Sequence, residues 1–160
     1  DEPPLVPIYE PQDVVASLKQ FLGVGYERAY PVVPGVTVTF YDAGHILGSA
    51  IVALDIDDQE MGEQKRLVFS GDLGRPDRPI LNDPTFLDRA DILLIESTYG
   101  NREHEDQEEA IEKLEKVVRD TYKRGGKVII PAFAVGRTQE LVYRLHQAVF
   151  RRDLPPDLPV

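Results

Sequence analysis

Apolar and polar residues alternate with a period of two over residues 26–33, 36–42, 49–57 and 66–70, which predicts four β-strands. Pro34-Gly35 between the first two is a turn signal. Residues 92–95 (Ile-Leu-Leu-Ile) are an unbroken apolar run, which reads as a fifth strand covered on both faces. Helical spacing appears in three places. Pro11-Gln12-Asp13 opens a stripe of Val14, Leu18, Phe21 and Leu22 that Gly23 and Gly25 stop. Ile111, Leu114, Val117, Val118 and Tyr122 form a second stripe, with acids in its first turn, Lys123 and Arg124 in its last, and Gly125-Gly126 after it. Leu141, Val142, Leu145 and Val149 form a third, opened by Val135-Gly136-Arg137. Between the last two helices, residues 127–132 read as a short buried strand. Glu109/Lys113, Glu112/Lys116 and Glu115/Arg119 stand four apart and read as a solvated helix face.

The pattern changes near Gly100. Before it the chain is strand-rich with one helix; after it strand and helix alternate, as in a parallel α/β unit. A boundary is therefore expected there, dividing residues 1–100 from 101–160. Residues 1–10 carry three prolines and read as an extended lead-in. Residues 74–91 carry three more and read as a long irregular connection, a kind of segment that often serves function. The proline-rich tail, residues 154–160, is expected to close no element. The acidic loop at 57–65 invites a calcium reading, but Glu60 stands where such a loop needs glycine, so a solvated loop is expected.

Composition narrows the class. With 42% hydrophobic and 29% charged residues the chain is that of a soluble globular protein. No apolar run approaches the ~20 residues of a membrane helix, and the cytoplasm is the default compartment. There is no cysteine, hence no disulfide and no thiolate metal site. A net charge of −10 argues against nucleic-acid binding over the whole surface, but a local basic groove or bound cations can reverse the sign where it matters.

Three predicted strands end in small-residue turns, each bearing one group able to hold a proton or a metal: His45, Asp72 and Glu96. His45 stands between Gly44 and Ile46. It is either a structural histidine or a metal ligand with glycine-cleared space beside it. Asp72 is either a turn residue bonded to backbone or a carboxylate able to bridge two cations. Glu96 is either a helix-cap or turn acceptor or a proton-relay or orienting group. His104, in a polar loop, and His146, on the last helix, carry weaker signals. Arg137 at a helix start is either a surface arginine or a phosphate grip. Two metal ligands do not complete a zinc site, which usually takes three from the protein.

Four segments carry a resemblance. Asp42-Ala43-Gly44-His45-Ile46-Leu47-Gly48-Ser49-Ala50 resembles the third metal-binding motif of the metallo-β-lactamase fold in its β-CASP form. Phe69-Ser70-Gly71-Asp72-Leu73-Gly74 resembles the fourth. Ile95-Glu96-Ser97-Thr98-Tyr99-Gly100 resembles β-CASP motif A, in the form of the cleavage-and-polyadenylation-type ribonucleases. Pro131-Ala132-Phe133-Ala134-Val135-Gly136-Arg137-Thr138-Gln139-Glu140 is similar to the opening of the inserted β-CASP domain. The resemblance implies an α/β fold: part of a metallo-β-lactamase αββα sandwich followed by the start of an α/β β-CASP insertion. It implies a ribonuclease that hydrolyses single-stranded RNA with a metal-bound hydroxide at two zinc ions. His45 would be a zinc ligand, Asp72 the carboxylate between the two ions, and Glu96 the support of a histidine acting as general acid. Arg137, at a predicted helix start near the cleft between the two parts, is expected to contact substrate.

The sequence also departs from the family. The motif His-x-His-x-Asp-His, source of most zinc ligands, is nowhere in it. The chain thus looks like an internal segment and is expected to be inactive alone. Two alternatives remain at this level: an inactive scaffold or RNA-binding relative, and another hydrolase on the same fold.

Overall fold

The computed structural model describes residues 7–58, 62–103 and 106–160. Its first helix, α1 (Pro11–Leu18), is started by proline in the first turn and by Asp13, which accepts from the Glu10 N–H at 2.8 Å. Then come β1 (Ala29–Val33), β2 (Val36–Asp42), β3 (Ala50–Asp58), β4 (Glu63–Phe69) and β5 (Ile92–Leu94), followed by α2 (Gln107–Lys123) and α3 (Arg137–Phe150). The five strands form one mixed sheet in sequence order.

Pro34 and Gly35 turn β1 back onto β2, and Val33 faces Val36 across the turn. Pro31 lies in β1, an edge strand, where a missing N–H costs least, and the ladder shifts register between Pro31 and Val33. Strands β2, β3 and β4 pair antiparallel over their full lengths. β5 joins β4 in parallel, so the chain between them must cross over, and it does so through residues 70–91.

Strand alternation sorts the side chains onto two faces. On one, Ile51, Ala53 and Val68 are buried and form a core with Ala43; Tyr41, Leu73 and Leu87 pack against it. Leu73 and Leu87 come from the crossover, which therefore covers this face. Its edge is pinned where Thr85 N–H donates to Asp42 O and Asp91 N–H to Arg66 O, both at 2.9 Å. The other face is also apolar: Phe40, Val52 and Phe69 stand in one cross-strand row, Val38, Leu54 and Leu67 in the next. No described helix packs on it.

α2 and α3 form a second core. Val118, Leu145, Ala148 and Leu154 are buried together, with Leu114, Leu141 and Val149 around them. Asp106 caps α2 by accepting from the N–H groups of Glu108 and Glu109 at 2.9 and 3.0 Å. Arg151 donates to Glu115 at 2.7 Å, joining the two helices.

The structure departs from the sequence expectations at five places, each for a tertiary reason. β5 is open: Ile92 is 54% and Leu94 47% exposed, because no described helix packs over it. Residues 127–132 form no strand and Ile129 is 89% exposed, since no described strand pairs with them. α1 stops at Leu18, short of the Phe21-Leu22 turn, because its apolar side meets no layer that would hold a further turn. The tail is not idle: Leu154 is buried between the helices and Tyr122 Oη donates to Asp157 at 2.6 Å. Glu115 binds Arg151, where four-residue spacing had suggested Arg119; Arg119 instead donates to Asp153 O at 2.8 Å. Of the other expectations, Glu109–Lys113 forms at 3.6 Å. The loop at 57–65 is shorter than expected, and its residues 59–61 lie outside the described residues, as does part of the lead-in, residues 1–6.

Arg66 grips Asp55 across β3 and β4 with two bonds, 2.7 and 2.9 Å. This fork holds the Asp55 carboxyl below its ordinary value of 3.8, against some opposition from burial. A carboxyl lowered on folding binds fewer protons folded than unfolded near that pH. Its contribution is therefore present above the ordinary value and lost as pH falls through the folded one. Asp55 is close to half exposed, so the effect is modest. The wild-type chain should lose stability below about pH 4 more steeply than Arg66→Gln. Urea midpoints at pH 7 and pH 3 test this: the gap between the two proteins should narrow in acid, and an equal gap at both values would contradict it.

Candidate functional site

The site grows from three turns that follow strands. After β2, Asp42 Oδ1 accepts from Gly44 N–H at 2.8 Å, closing a turn around Ala43. Ser49 Oγ then accepts from the N–H groups of His45 and Ile46 at 3.1 and 3.2 Å, and Ser49 N–H donates to Ile46 O at 3.0 Å. His45 thus rides on a loop whose backbone is bonded to itself, and its own side chain is exposed.

After β4, Ser70 is buried and its N–H donates to Leu94 O at 2.9 Å. After β5, Glu96 closes the arrangement. Its N–H donates to Ser70 Oγ at 3.0 Å, and its Oε1 accepts from Leu73 N–H at 2.6 Å. Residues 70–73 are therefore clamped from both ends by one glutamate. Asp72 sits inside that clamp with its carboxylate exposed. The Thr98 side chain, then the Leu73 N–H, hold the Glu96 carboxyl below the usual range; the nearby His45 acts in the same direction. Glu96 is charged at neutral pH and half-buried.

The first two turns also touch. Gly74 N–H donates to Ala43 O at 2.8 Å. A Cβ on Gly74 would fall 1.7 Å from Gly44 O, and one on Gly44 would fall 2.7 Å from the Pro84 ring. Both positions require glycine because backbone lies where a side chain would go.

The turns open on a cleft of about 580 Å³ lined by His45, Asp72, Arg75, Arg78, Glu96 and Arg137, among others. All four residues singled out in the sequence line it: His45, Asp72, Glu96 and Arg137. Arg137 begins α3, whose first turn has no side-chain cap. Arg78 Nη1 donates to Glu140 at 2.6 Å, tying the crossover to α3; both side chains are largely buried. His146 is exposed on α3 and lines shallow concavities with Tyr143, apart from this cleft. His104 lies outside the described residues. A larger concavity of about 900 Å³ lies at the β1–β2 end of the sheet, where Arg66 and Asp55 satisfy each other; none of the four residues reaches it.

Sequence reasoning missed Arg75, Arg78 and the hydroxyls of Ser49 and Ser70. The arginines had one visible signal: two cations just after a strand-end turn, in a long connection. Ser49 reads as an ordinary turn serine although its partners, the His45 and Ile46 N–H groups, are local, and Ser70 gave no signal because its partner, the Glu96 N–H, lies 26 residues on.

Imidazole and carboxylate are donor types that zinc accepts. His45 and Asp72 are exposed on one cleft, so the donors fit that ion in kind. They do not complete a site in number: among the described residues no three His, Cys, Asp or Glu side chains gather as a metal cluster.

Over most of its length the chain is homologous to β-CASP ribonucleases. It is 36% identical to Ribonuclease TTHA0252 of Thermus thermophilus over 140 residues, 88% of this chain. It is 37% identical to the transcription termination factor FttA of Methanosarcina mazei over 156 residues, 95% of this chain. It is 32% identical to an RNase J-like protein of Methanocaldococcus jannaschii over 157 residues, 94% of this chain. It spans 31%, 24% and 36% of those proteins' own lengths. No family model matches the sequence.

The contact of Gly74 with Gly44 yields a prediction. Gly74→Ala cannot be accommodated by a side-chain rotation, because the obstacle is backbone. It should destabilise the chain by roughly 3 kcal/mol, at the upper end for single substitutions. Gly125→Ala, with open space around the added carbon but a positive φ, should cost only about 1 kcal/mol. Urea denaturation of both variants checks this, and equal losses would contradict it.

Proposed function

We propose that this chain supplies one side of the active cleft of a zinc-dependent β-CASP ribonuclease acting on single-stranded RNA. The observation that carries the reading is the convergence of His45, Asp72, Glu96 and Arg137, from three strand-end turns and a helix start, on one cleft. Ribonuclease TTHA0252 is named for action on RNA, which favours that substrate class. The sheet's second apolar face supports the finer fold reading, part of an αββα sandwich, because a sheet with two apolar faces requires a layer on each. Residues 1–100 then belong to the metallo-β-lactamase part and residues 101–160 to the start of the β-CASP domain. The separate α2–α3 core supports that division. Among the described residues no helix is long and apolar enough to cross a membrane, and the proposed compartment is the cytoplasm.

In this reading His45 and Asp72 would hold zinc together with ligands from outside this chain. Zinc would supply charge stabilisation and an activated water for phosphodiester hydrolysis. What the chain's own residues do follows from their bonds. Glu96 fixes the turn that carries Asp72 and places a full negative charge near His45. It is a positioning residue, and an imidazole brought beside it would be held in its charged form. Ser49 holds the His45 loop. Arg137 faces the phosphate backbone from the start of α3.

The roles separate experimentally. The isolated 160-residue chain should bind zinc weakly and cleave no RNA. Two tightly held zinc ions after desalting, or cleavage abolished by His45→Ala, would contradict this. In the full-length protein Asp72→Asn should lose zinc and activity together. Glu96→Gln keeps an oxygen for the Leu73 N–H, so it should retain most of its zinc and its RNA affinity while turnover falls by about 10–100-fold. Zinc content, RNA affinity and single-turnover cleavage in one buffer decide. Loss of zinc from Glu96→Gln as complete as from Asp72→Asn would make Glu96 a direct ligand. Retention of both zinc and activity by Asp72→Asn would remove the two-metal reading.

A further inference from the structure

The cleft also carries a cluster of cations. Arg75, Arg78 and Arg137 all line it. Glu140 is the carboxylate beside them, and it is committed to Arg78 at 2.6 Å. Asp72 and Glu96 share the cleft, but the charges that act on Arg75 are Arg78, Arg137 and Glu140, so its immediate surroundings stay net positive in a chain whose overall balance is −10. Among the described residues no carboxylate forms an ion pair with Arg75. Arg75 is half-buried, so water screens its neighbours incompletely. Burial first, then the charges of Arg78 and Arg137, push its guanidinium below the usual range, and Glu140 offsets this only in part. Like charges held together in this way cost the fold energy, and an anion bound among them would return it.

We propose that Arg75, steadied by the Arg78–Glu140 pair and facing Arg137, forms a phosphate subsite distinct from the His45–Asp72 end of the cleft. As an RNA subsite it rests on the function proposed above. There it takes a backbone phosphate on a nucleotide neighbouring the one at the His45–Asp72 end. Guanidinium suits this role because its planar fork meets two phosphate oxygens at once. Phe133 stands on the same cleft and is 87% exposed, which offers a face for an unpaired base. Arginine for the backbone and an aromatic face for the base together favour a single strand over a duplex. The Arg78–Glu140 pair acts differently. It fixes the start of α3 against the crossover, so that Arg75 and Arg137 keep their spacing.

The test uses the full-length protein and two probes, inorganic pyrophosphate by calorimetry and a fluorescent oligouridylate by anisotropy over a salt series. Arg75→Ala should weaken oligouridylate binding roughly tenfold and flatten its logarithmic salt dependence by about 0.7, one phosphate's worth for a single strand. It should also abolish pyrophosphate binding. Arg75→Lys, which keeps the charge and guards against a folding artefact, should recover part of both. Arg152→Ala, an equal charge change on an exposed residue beyond α3, should alter neither. If Arg75→Ala binds both probes as the wild type does, the subsite is overturned while the RNA reading stands. If pyrophosphate binds through Arg75 but oligouridylate does not bind, the anion site stands and the RNA reading falls. If the wild type binds neither probe, both fall.

Discussion

Gly74 lies so close to the Gly44 carbonyl that it could carry no side chain. This backbone-on-backbone contact, sealed by the Gly74 N–H on Ala43 O, determines where the turns after β2 and β4 can be. The rest of the cleft follows from it. The sheet delivers both turns to one edge, Asp42 and Ser49 shape the first, and Ser70 and Glu96 clamp the second. His45 and Asp72 are carried on these turns with their side chains free of the clamps. Rigidity and exposure are thus divided between backbone and side chain, which is what a site for a ligand requires.

The cleft is electrically divided as well. His45, Asp72 and Glu96 stand on the strand-end turns, while the charges acting on Arg75 are those of Arg78, Arg137 and Glu140, the last two on α3. Carboxylates suit cations and guanidiniums suit anions. A polyanion held with metal ions is the kind of ligand that satisfies both at once. The strongly negative total charge is no obstacle, since screening confines its influence to about 8–10 Å at physiological salt. The Arg78–Glu140 pair sits where the crossover meets α3, and its burial makes it a strut between the sheet's loops and the helix rather than a solvated ornament.

Much of this was legible in the sequence where the determinants are local. β2 spans the residues that period-two alternation indicated, because Pro34-Gly35 and the turn at Asp42 bound it on both sides. The glycine-rich turns pointed to His45, Asp72 and Glu96, and all three line the cleft. What was illegible depends on distant partners. Residues 92–95 and 127–132 are apolar enough to be covered, but coverage is a property of the layer above them, and here they stand open. Glu115 chose Arg151 over the arginine one turn away, which spacing along a helix cannot reveal. Ser70 reads as an ordinary turn residue until Glu96 is seen to donate to its hydroxyl. Arg75 becomes distinctive only beside Arg78 and Arg137, one of them on another element.

If the cleft is preassembled by contacts between turns, amide hydrogen exchange should report it directly. The Leu73 and Gly74 N–H groups, which donate to Glu96 Oε1 and Ala43 O, should exchange as slowly as ladder amides of β3 and β4. In Glu96→Ala, Leu73 should lose its protection while the β3–β4 ladder keeps its own. Free exchange at Leu73 and Gly74 in the wild-type chain, alongside a protected ladder, would contradict the account: the turns would then be independent loops and the convergence of His45 and Asp72 would have no structural cause.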